Sequence, residues 1–118
     1  NAVAELTVTL ILAVMKQVRL ADEATRASNF HFKYSAHITE LTGKTLGIVG
    51  FGHIAKRTAS MLKQAFQMNV LVYSPSADEA ELADYGAKKA TLAEVLAASD
   101  TKPDKRHDIK SCYGTTKY

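Results

Sequence analysis

Six residues in the middle of the chain, Gly50-Phe51-Gly52-His53-Ile54-Ala55, constrain it most. They follow an apolar run, residues 44–50, with the composition of a buried strand. They open a segment, residues 53–67, in which Ile54, Thr58, Met61, Leu62, Ala65 and Phe66 recur at helical spacing. A G-x-G-x-x-A sequence alone is a weak signal. Placed between a strand and a helix it predicts a phosphate-binding turn. Gly50 lets the chain leave the strand sharply, Gly52 lacks the Cβ that would keep a pyrophosphate off the backbone, and Ala55 lets the helix lie close to the strand. The unpaired N–H groups and the dipole of the helix start then face an anion.

The rest of the chain supports that placement. Residues 69–74 form a β-branched and aromatic run that predicts a second strand, stopped by Pro75. Ser76-Ala77-Asp78-Glu79 fits a capping box for a short helix to about Tyr85, and Gly86 ends it. Residues 87–90 read as a short third strand. Thr91-Leu92-Ala93-Glu94 is a second capping box, opening a helix to about Ala98. Strand and helix alternate with short connections, which predicts an α/β fold with a partial doubly wound parallel sheet. Before it, residues 2–27 read as one long N-terminal helix, free of Pro and Gly, and residues 28–43 as a connecting loop.

The unit normally carries an acid about 20 residues beyond the glycines, on the adenosine ribose. The corresponding strand end here is Ser74, which can meet a hydroxyl only as a neutral partner. Asp78 and Glu79 follow closely, and their spacing assigns them to the first turn of the next helix. NAD is the expected cofactor, with NADP left open: a 2′-phosphate calls for an Arg nearby, and residues 75–80 contain none. Gly43-Lys44-Thr45 is no P-loop, because it precedes its strand and position 38 is Ile38 where that motif needs Gly.

Composition bounds the alternatives. The chain has 118 residues, room for one ordinary domain. Its net charge of +3 does not describe a basic surface. Residues 1–100 hold ten bases and ten acids, and the whole excess lies in residues 101–118. That end reads as a divergent basic tail, with no nucleic-acid role expected. One cysteine, Cys112, excludes an internal disulfide. His31, His37, His53 and His107 show no metal-ligand spacing, so no metal site is expected. The longest apolar run, residues 10–15, is far short of a membrane span, and no basic segment precedes it. With Asn1 at its start, the chain reads as a fragment of a larger cytoplasmic protein.

These residues together resemble the cofactor domain of the D-isomer-specific 2-hydroxyacid dehydrogenases. The resemblance is carried by Asn1-Ala2-Val3-Ala4-Glu5, the run from Glu40 to Ala55, Val70-Leu71-Val72-Tyr73-Ser74-Pro75, and residues 91–100, in that order. It covers about residues 1–100 and implies a Rossmann-like, truncated dinucleotide-binding domain. The family interconverts small D-2-hydroxy and 2-oxo acids with a nicotinamide cofactor, and its members commonly dimerise through this domain and its first helix. The resemblance implies cofactor contacts from Gly50, Phe51, Gly52, His53, Ile54, Ala55 and Ser74. His53 stands where Arg is common, as a weaker and pH-dependent phosphate partner. The family's catalytic Arg, acid and His have no counterpart here, so no catalytic residue is expected and the fragment alone is expected to be inactive. After Asp100 the match breaks, as if one short strand had been deleted, which would leave the strand at 45–50 as a sheet edge. The alternative is a non-catalytic module that dimerises through its first helix.

Overall fold

The computed structural model describes residues 1–36 and 38–99. In chain order the elements are α1 (Ala2–Met15), α2 (Val18–Arg26), α3 (Phe32–Ser35), β1 (Thr45–Val49), α4 (His53–Phe66), β2 (Asn69–Tyr73), α5 (Glu79–Asp84), β3 (Ala87–Lys89) and α6 (Leu92–Ala98). The strands pair in parallel in the order β1-β2-β3. Val49 is opposite Tyr73, and Val72 is opposite Lys89. All three strands therefore end on one side of the sheet, and the expected α/β alternation is present.

Alternation along the strands divides the interior. Leu46 and Ile48 of β1, with Val70 and Val72 of β2, are buried in one core with Ile11, Met15, Ala59 and Leu62. Helix α1 packs on α4 and covers that core from outside. Gly47, between Leu46 and Ile48, lies against Val95 of α6, and α6 packs on β1 and β2. Fully burying an aliphatic side chain of this size contributes roughly 1.5–3 kcal/mol. The stack Ile11–Leu46–Ile48–Leu62 thus anchors the strand from which the glycine turn departs.

Three expectations need correction. Residues 2–27 are two helices, because Gln17 adopts a left-handed conformation (φ 53°) between α1 and α2. The cause is non-local. The Thr39 N–H donates to the Met15 carbonyl at 3.2 Å, and Lys16 Nζ donates to the Thr39 carbonyl at 2.9 Å. The returning chain thus ties down the end of α1. Residues 28–43 are not all loop, since α3 forms one helical turn within them. The Ser76 capping box does not form. A turn closed by Ala77 N–H to the Ser74 carbonyl (3.3 Å) buries Ala77, and α5 starts later, with Asp78 at its N-cap. The Thr91 box is present with both of its hydrogen bonds.

Among the described residues β1 pairs only with β2. The expected strand deletion after Asp100, the basic tail, Cys112, His37 and His107 lie outside the described residues.

Candidate dinucleotide site

The glycine turn begins where the strand ladder ends. The Gly50 N–H donates to the Tyr73 carbonyl at 2.8 Å, extending the β1–β2 pairing by one residue. Gly50 itself has φ +86°, a left-handed value that glycine takes without strain. Ser74 follows Tyr73 directly, so this one hydrogen bond brings the turn and the end of β2 side by side.

Gly52 is the N-cap of α4 in an extended conformation, and no side chain caps the helix. The first helical bond runs from the Lys56 N–H to the Gly52 carbonyl. The N–H groups ahead of it are the unsatisfied donors of a helix start. Among the described residues, a Cβ placed on Gly52 would meet nothing within 4 Å, so the backbone at the helix start is open on that side. Open space, free donors and the positive end of a 14-residue helix suit a pyrophosphate.

The predicted residues divide by environment. Gly52 and His53 are exposed at the turn, and Ile54 is half-buried. Ala55 is buried under the sheet, as its small size requires. Phe51 turns inward: its ring meets Tyr85 edge to face, with centroids 5.6 Å apart. Phe51 can therefore offer a ligand its backbone but not its ring. Ser74 is buried at the end of β2.

Beyond Ser74 the sheet end opens into a cleft of about 480 Å³, walled by Ser74, Pro75, Glu79, Lys89, Thr91 and Glu94. Glu79, Lys89 and Glu94 line this cleft and are not among the residues the sequence points to as cofactor contacts. Glu79 was assigned to helix capping, and the others come from elements that only the fold brings to Ser74. Below the turn, Lys56 pairs with Glu81 and lies over the rings of Phe51 (5.8 Å) and Tyr85 (5.9 Å). The hydrogen bond to Glu81 raises the Lys56 ammonium above the usual lysine value. Partial burial opposes this, and the charges of Glu81 and Tyr85 add to it. Among the described residues no group of three His, Cys, Asp or Glu could hold a metal ion, and no helix is long and apolar enough to cross a membrane.

Comparison with known proteins agrees with this geometry. Residues 8–101 match the family model described as D-isomer specific 2-hydroxyacid dehydrogenase, NAD binding domain. A protein of Staphylococcus aureus (strain USA300), named as a 2-hydroxyacid dehydrogenase, is 34% identical over 102 residues, 85% of this chain and 32% of that protein. The chain thus spans about a third of the length of the curated relatives it matches. Among solved structures, a glyoxylate reductase from Paecilomyes thermophila is 35% identical with a TM-score of 0.73, over 85% of this chain and 30% of that one. The Rhodotorula graminis D-mandelate dehydrogenase is 26% identical with a TM-score of 0.74, over 84% and 31%. The D-lactate dehydrogenase of Escherichia coli is 27% identical with a TM-score of 0.73, over 84% and 30%.

Proposed function

This chain belongs to the D-isomer-specific 2-hydroxyacid dehydrogenase family through its NAD-binding domain, and we propose that it serves as the cofactor half of an oxidoreductase acting on small D-2-hydroxy or 2-oxo acids. The observation that carries this is the open, uncapped start of α4 at Gly52, directly beside the end of β2. Backbone N–H groups of Gly52, His53 and Ile54 hold the pyrophosphate, with Gly50 and Phe51 shaping the turn and Ala55 seating the helix. The adenosine ribose lies towards Ser74. A bound nicotinamide supplies hydride transfer. The chain's own residues bind and orient the cofactor, and we assign no catalytic residue among them.

Titrating the chain with NADH while following nicotinamide fluorescence and protein melting tests the reading. Saturable binding with a raised melting temperature is expected, since a ligand held only by the folded state stabilises it. A folded sample indifferent to NADH would overturn it and favour the non-catalytic module.

The same proposal includes a homodimer through the first helix. Val3, Leu6 and Leu10 of α1 are more than half exposed and share one helix face, opposite the buried Ala4, Ile11 and Met15. Sedimentation of the chain and of its Leu6→Glu, Leu10→Glu variant checks this: a dimer that becomes a monomer is expected. A cytoplasmic location, without nucleic-acid or membrane partners, completes the proposal, supported by the single cysteine and by the neutral charge balance of residues 1–100.

A further inference from the structure

We propose that Glu79 holds the adenosine ribose hydroxyls and rejects a 2′-phosphate, so that the site selects NAD over NADP without an acid at the end of β2. This rests on the dinucleotide reading above. Ser74 occupies the strand end, is only 5% exposed and lines the cleft. Ser74 can meet a ligand hydroxyl only as a neutral partner, so a carboxylate for the diol must come from elsewhere in the cleft.

Three charged side chains share that cleft, and two are engaged. Lys89 Nζ donates to the Ala77 carbonyl at 3.2 Å, across the loop that leads to α5. The Glu94 carboxylate accepts from the Thr91 N–H at 3.4 Å, and the Glu94 N–H donates to Thr91 Oγ1 at 3.2 Å. Glu79, the first residue of α5, has no hydrogen bond or ion pair to any described residue. It is the carboxylate left to accept from a ligand. A ribose diol presents two O–H donors, which a carboxylate takes up together. A 2′-phosphate brings roughly 1.5–2 negative charges and no useful donor. It would meet two carboxylates against one ammonium already turned to a carbonyl. The balance of the cleft favours the diol.

The test titrates the full chain with NADH and NADPH at one ionic strength. The parent, Glu79→Gln and Lys89→Ala are compared, with melting curves to show that each is folded. NADH is expected to bind the parent at least about tenfold more tightly than NADPH, and Glu79→Gln is expected to lose about tenfold in NADH affinity while narrowing the ratio. Ser74→Asp placed on Glu79→Gln is expected to restore discrimination, because it returns an acid to the strand end. Equal binding of both cofactors by the parent overturns the proposal. So does a ratio that Glu79→Gln leaves unchanged, or NADPH binding that Lys89→Ala selectively abolishes. Binding of neither dinucleotide by folded protein overturns the reading of the glycine turn, and this proposal with it.

Discussion

Gly47 in β1 and Val95 in α6 meet so closely that a Cβ on Gly47 would lie 2.9 Å from Val95 Cγ1. The same Cβ would stand 3.1 Å from Ser99 Cβ. Neither neighbour is the end of a flexible chain: Val95 is stiff about χ1, and the Ser99 atom is the root of its side chain. The absent side chain is thus what lets α6 lie on the sheet. Gly47→Ala is expected to cost about 1–3 kcal/mol by overpacking. Urea unfolding measures it. Pairing Gly47→Ala with Val95→Ala is expected to recover part of the loss if the contact is its cause.

Thr58 sits in α4, fully buried, and among the described residues its hydroxyl has no hydrogen-bond partner. A buried unsatisfied hydroxyl is a standing cost, and valine has nearly the same shape without it. Thr58→Val is therefore expected to raise stability by about 1 kcal/mol. Thermal melting with and without NADH checks that binding is untouched. A loss of stability would mean that the hydroxyl has a partner, such as a buried water.

The strand, glycine turn and helix over residues 45–66 were legible because their signals are local. Apolar residues fill the strand, Gly50 and Gly52 punctuate it, and helical spacing follows. The Thr91 box was legible for the same reason, since both partners lie within one turn. The break at Gln17 was not, because it depends on Thr39 returning to Met15 across the fold. The apparent box at Ser76 failed because burying Ala77 against the core outweighed an exposed cap. In the candidate site the phosphate end could be read from the motif. The cleft around Ser74 could not, because Glu79, Lys89 and Glu94 join Ser74 in lining it only once β2, α5, β3 and α6 are assembled.

The Lys56–Glu81 pair predicts a pH dependence whose sign follows from linkage. Glu81 raises the folded-state pKa of Lys56 above its ordinary value. A raised lysine contributes its stability below the unfolded value of about 10.4 and loses it as pH climbs through the folded value. Stability is therefore expected to be level at neutral pH and to fall in the alkaline range. Phenols ionise there as well. The informative quantity is thus the difference between the parent and Glu81→Gln in urea midpoint. That difference is expected to shrink as pH rises through the folded lysine value; a constant difference would show that the pair does not stabilise the fold.

Gly50 and Gly52 lie two residues apart in one motif, yet their environments predict opposite outcomes for the same substitution. Gly50 has open space around its Cα but a φ of +86°, so Gly50→Ala meets backbone strain of about 1–2 kcal/mol. Gly52 has an ordinary φ of −83° and equally open space. Gly52→Ala is therefore expected to melt within about 0.5 kcal/mol of the parent. Its new methyl group, however, would stand where the proposed pyrophosphate approaches the backbone. NADH affinity is expected to fall at least about tenfold, the cost of losing one charge-assisted hydrogen bond. Measuring melting and NADH binding on both variants separates the roles. Stability lost at Gly50 and binding lost at Gly52 would establish that the first glycine serves the turn and the second the ligand. Unchanged NADH binding by Gly52→Ala would place the pyrophosphate elsewhere.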